Sequence, residues 1–203
     1  MPTTNSSTIL TFAEMAFLMS LVGDADRATA CRRLGVPNVE ESAELAMAGL
    51  ASLAARGLAA AQSDELTLSS DLAAISVGIV SAQVNGTLGI ASPGVTDILQ
   101  VFCGEVQSLT VRPLAFGCFR IDGLASEVTT SGLMSTLFEA LISEDAGQMA
   151  VIAKIDGIDG EGVSAVRSAN GALTVYNGQG SEQSVEKADL VPVVRELLDH
   201  ALT

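Results

Sequence analysis

The sequence predicts an α+β protein in two parts, a helical domain over residues 9–70 and an α+β domain over 71–203. Three observations predict it. Apolar residues recur at helical spacing three times before residue 57, and a short strand–turn–strand pattern follows. From residue 87 the chain changes to Val, Ile, Leu, Thr and Phe runs punctuated by Pro and Gly, the signature of strands. An order of three strands and then a helix occurs twice, over 87–142 and 148–201, which makes the second domain two βββα-like halves.

Residues 1–8 are polar and are expected to be an unstructured lead-in. "TFAEMAFLMSLVG" places Phe12, Met15, Met19 and Val22 on one helical face, with Thr11 to cap its start and Gly23 to end it. "DADRATACRRLGV" reads as a short second helix, capped by Asp24 or Asp26 and stopped by Gly35 and Pro37. A third helix is expected from Asn38 to Arg56, its apolar face Ala43, Ala46, Met47, Leu50, Leu53 and Ala54, with Gly57 beyond its end. "LAAAQSDELTLS" is then a strand, a polar turn at Ser63 and Asp64, and a returning strand. Helix, helix, longer helix and two-stranded wing is the winged-helix order, and residues 9–70 resemble that superfamily. The resemblance implies a fold, not a job.

Ser70 or Asp71 caps a further helix, "DLAAISVGIVSAQV", ended by Asn85 and Gly86. "TLGIAS", "DILQVFCG" and "SLTVRPLAFGCFRIDG" are strands, and "SEVTTSGLMSTLFEALI" is a helix with Leu133, Leu137, Ala140 and Leu141 on one face. "QMAVIAKIDGI", "VSAVRSA" and "ALTVYNG" repeat the strand order, with "DGEG" and "ANG" as hairpin turns. "ADLVPVVRELLDHAL" closes the chain as a helix, Asp189 its N-cap and Pro192 tolerated in its first turn.

Composition narrows the function by exclusion. Twenty-four acids against ten bases leave a net charge of −14, which opposes both a phosphate backbone and an anionic membrane surface. Aromatics are 3% of the chain, with Tyr176 the single tyrosine, so the core is aliphatic, with Met15, Met19, Met47 and Met149 as gap-fillers. The three cysteines, Cys31, Cys103 and Cys118, show no metal-ligand spacing and are expected to pack as small apolar groups in a reducing compartment. The N-terminus lacks a basic n-region and carries Glu14 within its apolar stretch, unlike a secretory signal. The charge-free stretch 72–96 is interrupted by Gln83, Asn85, Gly86, Pro93 and Gly94, so no membrane span is expected and the protein reads as cytoplasmic.

Catalytic patterns are equally sparse. His200 is the only histidine and sits near the end of the last helix, where a cation simply complements the helix dipole. Gly162 and Ser164 begin a nucleophile elbow, but Val166 stands where its last glycine belongs. Asp156, Asp159 and Glu161 fall near a calcium-loop pattern, yet Ile158 and Gly160 occupy ligand positions, and a solvated turn fits better. No phosphate-binding glycine loop follows a strand. No enzyme activity, cofactor or metal is expected.

The third helix decides between the remaining classes. Glu40, Glu41 and Glu44 occupy its first turns, the part that would enter a major groove, where carboxylates suit the helix dipole but not phosphates. Arg32, Arg33 and Arg56 are the candidate backbone contacts if the winged helix does bind DNA as a transcription regulator with a sensing or dimerising second domain. Specific DNA recognition ordinarily uses more positive charge. The favoured reading is a non-enzymatic protein-interaction module, adaptor or chaperone-like, with an unidentified protein partner and a homodimer formed through Ala-rich helices. Its candidate surfaces are the stretch 72–96, whose alternative is plain core, and the exposed edges of the sheets.

The C-terminal segment "GALTVYNGQGSEQSVEKADLVPVVRELLDHAL", the doubled α+β layout and the Ala-rich acidic composition resemble the secretion-associated chaperones of actinobacterial type VII (ESX) systems over residues 85–203. That resemblance implies a cytosolic, quasi-two-fold α+β protein that binds secreted helical substrate pairs. The chain is shorter than is usual for the family. Gly178, Gln179, Gly180 and Ser181 stand where members tend to carry an arginine-containing turn.

Overall fold

Ten residues into the chain, Leu10 is wholly buried in a strand, β1 (Thr4–Thr11), which takes in residues 4–8 of the polar lead-in expected over 1–8. β1 runs antiparallel to β7 (Cys118–Leu124), with Thr8 opposite Ile121 and Leu10 opposite Phe119. Its alternation is visible only at the end, because Ser7 and Ile9 face out and polar residues precede them. The computed structural model describes residues 4–22, 24–37, 42–62, 65–92, 95–105, 107–124, 129–144, 149–155, 163–167, 171–177 and 181–202.

The chain forms two compact units, one comprising Thr4–Gln83 and Phe102–Ser126, the other Met1–Thr3, Val84–Val101 and Glu127–Thr203. The division differs from the expected 9–70 and 71–203. Residues 102–126 return to the first unit because Phe102, Leu109, Val111, Phe119 and Ile121 complete one apolar cluster with Leu10, Met15, Leu53 and Leu72.

In the first unit, α1 (Phe12–Ser20) starts at Thr11, whose hydroxyl accepts from the Glu14 backbone N–H while the Glu14 carboxylate accepts from the Thr11 N–H at 2.8 Å. This reciprocal cap follows directly from the T-x-x-E spacing. Met15, Leu18 and Met19 are fully buried. α2 (Asp24–Leu34) buries Ala30, Cys31 and Leu34 and stops at Gly35, whose φ of +65° suits a residue without Cβ.

α3 (Ala43–Ala55) begins five residues later than expected, and 38–41 lie outside the described residues. Its buried residues are Ala46, Gly49 and Leu53, so the predicted apolar face is wrong at three positions. Ala43, Met47 and Ala54 are exposed. The cause is Gly49: a Cβ there would land on the Ala13 carbonyl of α1, so α3 turns its bare backbone, and not its larger side chains, toward α1. The predicted wing is present as β2 (Ala59–Gln62) paired with β3 (Glu65–Leu68). Its turn, Ser63 and Asp64, lies outside the described residues. α4 (Ser70–Val80) is capped by the Ser69 hydroxyl, which accepts from the Leu72 N–H, and not by Ser70 or Asp71. It ends well before Asn85 and Gly86, which lie inside the next strand.

Four strands, not three, precede each of the last two helices. β4 (Ala82–Ser92), β5 (Val95–Gly104), β6 (Ser108–Leu114) and β7 lead to α5 (Thr130–Glu144). β8 (Met149–Ile155), β9 (Val163–Arg167), β10 (Leu173–Tyr176) and β11 (Glu182–Val185) lead to α6 (Leu190–Leu202). "SLTVRPLAFGCFRIDG" hides two strands because its turn at Ala115–Gly117 carries an aromatic residue. β11 is hidden because "EQSV" has no apolar alternation. The expected turns "DGEG" and most of "ANG", and the acidic group Asp156, Asp159 and Glu161, lie outside the described residues.

α5 buries Leu133, Met134, Phe138, Leu141 and Ile142, one residue rotated from the predicted face, with Leu137 and Ala140 half-buried. α6 buries Leu190, Val194 and Leu198, a stripe at four-residue spacing, beyond a 3₁₀ turn at Lys187–Asp189.

Candidate protein-interaction surface

The cations singled out in the sequence occupy different environments. Arg32 is exposed and Arg33 half-buried in the last turn of α2. Arg56, just past α3, is engaged by the fold: its guanidinium donates to Glu14 Oε2 at 2.7 Å and to the Ile9 carbonyl at 3.1 Å. Ser52 donates to the other Glu14 oxygen at 2.8 Å. Burial alone raises the Glu14 carboxyl. The Thr11 N–H, the Ser52 hydroxyl and the Arg56 guanidinium, with its charge, outweigh that and hold it below its ordinary value. This is a polar clasp inside the first unit, with the Arg56 guanidinium partly exposed. Glu44 is exposed in the first turn of α3. Sequence reasoning missed the clasp because its partners are brought together only by packing of α1 against α3.

His200 is exposed in the last turn of α6. Cys31 and Cys103 are buried and Cys118 half-buried, all three as free thiols. Burial pushes the Cys31 thiol up, with the Arg27 charge opposing, so it stays protonated and packs as an apolar group. Among the described residues no three His, Cys, Asp or Glu side chains gather in a metal-binding group. No described helix is long and apolar enough to cross a membrane.

The stretch 72–96 divides between two roles. Leu72, Ile75, Gly78 and Ile79 of α4 are buried, so this half is core. On β4, Gly86, Leu88 and Ile90 point to one face of the sheet, along which β5, β4, β8, β9, β10 and β11 are successive neighbours. Val151, Ala153, Val163, Ala165, Leu173 and Val175 share that buried face, which α5 and α6 cover. A Cβ at Gly86 would meet Met134 of α5, which fixes the direction.

The alternate residues form the opposite face. In register across the sheet lie Gly89, Ile152, Ser164 and Tyr176, with Glu182 at the β11 edge. Thr87 lies opposite Lys154, and its hydroxyl donates to the Gln100 side-chain oxygen at 3.0 Å, which puts Gln100 and, by alternation, Ile98 on the same face. Ile98 and Ile152 are 45% and 42% exposed, high values for isoleucines in mid-strand. A Cβ at Gly89 would meet nothing nearer than the Ile152 carbonyl oxygen at 4.0 Å, so the centre of the face is open. Small, neutral and branched apolar residues dominate, with Lys154 near the centre and one carboxylate at the margin. On a chain of net charge −14 such a face is selective in composition. Its exposed isoleucines can bury apolar area against a protein, with Lys154 and Glu182 as the charges among its described residues.

No family model and no curated protein sequence matches the chain. Among solved structures, the chain is similar to the Mycobacterium tuberculosis type VII secretion system chaperone EspG5, whose structure was determined in complex with the PE25-PPE41 dimer. The TM-score is 0.58 at 10% sequence identity, over 96% of this chain and 96% of that one. At that identity the likeness is one of fold. It covers more of the chain than 85–203, where the sequence resemblance was read.

Proposed function

We propose that the chain is a non-enzymatic, chaperone-like binding module that holds a protein partner against the open sheet face of its second unit. The observation that carries this reading is that face itself, with Ile98 and Ile152 exposed around an empty position at Gly89 and little charge. The fold shared along the whole chain with a secretion chaperone supports it, and suggests a secreted protein or protein pair as the partner class and the cytoplasm as the place of action. The helix–helix–helix–hairpin order of 12–68 matches a winged helix in sequence of elements, and we read it as a packing unit. A DNA-binding role is disfavoured because Arg56 is bound to Glu14 and Glu44 stands exposed in the first turn of α3.

The test is an affinity capture from host lysate at low and moderate salt, repeated with Ile152→Glu and Ile98→Glu. A stoichiometric protein that survives moderate salt and is lost from both variants supports the reading. DNA captured only at low salt, with no protein, sinks it, since phosphate contacts weaken steeply with salt. The expected homodimer has an apolar surface to use in Ala43, Met47, Ala51 and Ala54, which face outward on α3. Sedimentation of Met47→Glu checks this: a dimer that the substitution dissociates is the expected result.

A further inference from the structure

β1 ends the strand order, and among the described residues no strand pairs with its free edge. In an antiparallel pair the N–H and C=O of one residue point to the same side, and alternate residues point away from the partner strand. The Thr11 N–H donates to Glu14 Oε2 at 2.8 Å, and the Ile9 carbonyl accepts from Arg56 Nη2 at 3.1 Å. Both groups therefore face away from β7, and by alternation so do those of Ser7. The clasp that joins α3 to α1 thus also lies along the open edge of β1. Arg56 spans it with one fork, Nη1 on Glu14 at 2.7 Å and Nη2 on Ile9.

An open edge is a template for another chain, and proteins blunt it with charge, proline, bulges or short strands. β1 supplies little of this itself. It is eight residues long, contains no proline and carries no charge, since residues 1–13 hold no Asp, Glu, Lys or Arg. The net charge of −14 repels a second copy, but a neutral strand is where that repulsion is weakest. Two β1 strands side by side and antiparallel would offer each other the same outward groups, with Ile9, 52% exposed, beside the seam. The register shift between Thr4 and Ser6 interrupts one end of the edge. Arg56 closes the other. Between them the outward groups of Ser7 and the Ile9 N–H remain, less than two full residues of pairing. Freeing the Ile9 carbonyl completes the second residue and removes the only charge set against the strand by a printed contact.

We infer that Arg56 is an edge guard: held on the Glu14 carboxylate, its guanidinium occupies the Ile9 carbonyl and keeps β1 from pairing with β1 of a second copy. The buried carboxylate fixes the side chain, and its 42% exposure keeps the charge in water, where a strand would have to displace it. The inference is independent of what the open sheet face binds, and it concerns a different surface from the outward flank of α3.

The experiment is sedimentation velocity of the full chain over a range of concentrations, with every variant built on Met47→Glu and compared with Met47→Glu alone, so that association through α3 cancels. Arg56→Ala is expected to lower the concentration at which the chain self-associates by about tenfold or more, the scale of a lost interface determinant. Arg56→Lys, which keeps a charge at the edge, should associate much less than Arg56→Ala. Adding Ser7→Pro to Arg56→Ala removes an outward N–H, a change that edge strands tolerate, and should restore the behaviour of the background. Amide exchange at Ser7 and Ile9 should slow in the associated Arg56→Ala protein. Val175→Ala, a buried truncation away from β1, controls for lost stability and should not associate. If Arg56→Ala does not fold, Arg56→Gln carries the same test with a shorter, uncharged side chain. No gain in association, a gain that Ser7→Pro leaves untouched, or an equal gain in Val175→Ala overturns the inference. Each of those results leaves the chaperone-like reading standing, because that reading is tested by capture with Ile152→Glu and Ile98→Glu.

Discussion

Arg56 and Glu14 are 42 positions apart in the chain and meet at 2.7 Å, the carboxylate wholly buried and the guanidinium 42% exposed. The same arginine reaches the Ile9 carbonyl of β1. One side chain thus ties the end of α3 to the start of α1 and to the strand before it. Glu14 serves both as helix cap and as the buried end of this ion pair, so the local cap and the tertiary contact share one oxygen, Oε2, while Oε1 accepts from Ser52.

Removing the cation leaves the carboxylate buried with its partner lost. Arg56→Ala is expected to destabilise the protein by about 1–3 kcal/mol, below the full cost of a deeply buried pair because water reaches the guanidinium. Arg32→Ala, at an exposed position in the neighbouring helix, is expected to change stability by less than about 0.5 kcal/mol. Urea unfolding of the two variants beside wild type measures the contrast. Equal effects would mean that the clasp contributes nothing.

The same carboxylate sets an acid limit. Glu14 titrates below its ordinary value of 4.5 when folded, so the unfolded chain takes up its proton first as pH falls. Its contribution is fully present above about 4.5 and is lost as pH falls through the folded value. Glu14→Gln should therefore be less stable than wild type at neutral pH and should lose stability less steeply below pH 4.5. Chemical denaturation between pH 3 and 7 reads the slopes, which would run parallel if another acid governed this window.

Gly49 permits the contact of α3 with α1. Alanine there would gain roughly 1 kcal/mol of helix propensity, but its Cβ falls on the Ala13 carbonyl and forces the helices apart. Gly49→Ala is expected to cost about 2 kcal/mol or more overall, the sign reversed from that of an exposed helical glycine. Thermal unfolding decides: a raised melting temperature would show that the two helices are not in close contact.

Two phenylalanines should respond in opposite ways. Phe138 on α5 is fully buried, and Phe138→Ala is expected to cost about 3–5 kcal/mol. Phe116 is fully exposed, and Phe116→Ser is expected to leave stability within about 0.5 kcal/mol of wild type. Calorimetric melting of both variants is the check, and a large loss for Phe116→Ser would place that ring inside the fold.

Function should follow the sheet face and not the α2 cations. Ile152→Glu adds a charge to an exposed position and is expected to abolish partner capture while the circular-dichroism spectrum is retained. Arg32→Ala with Arg33→Ala is expected to leave capture intact. The reverse pattern would return the N-terminal helices to a phosphate-binding role.

Much of the local structure could be read directly. Thr11 announces the start of α1, Gly35 and Gly57 adopt the positive φ expected beyond α2 and α3, and the hairpin of β2 and β3 lies where "LAAAQSDELTLS" put it. Misreadings cluster where a residue's environment comes from distant chain. Ala43, Met47 and Ala54 of α3 were assigned inward, although Gly49 turns that flank to solvent. β1 and β11 lacked a pattern because each pairs with a single neighbouring strand and carries few apolar residues. At the candidate site, the sequence marked 72–96 as charge-free but could not divide it between the core of α4 and the two faces of β4.

By itself, then, the sequence determined the α+β class, most element positions, the Thr11 cap of α1 and the acidic, aromatic-poor character that disfavours nucleic acid. Those depend on backbone propensity and on interactions within a few residues, or on composition alone. Tertiary structure decided that residues 102–126 complete the first unit's core, that Arg56 is spent on Glu14, and that Ile98 and Ile152 stay in solvent while their strand neighbours are covered. The physical reason is that burial of a face, unlike formation of an element, is set by whatever distant segment packs against it. Periodicity records that a strand has two faces; only the placement of α5 and α6 selects the one left open.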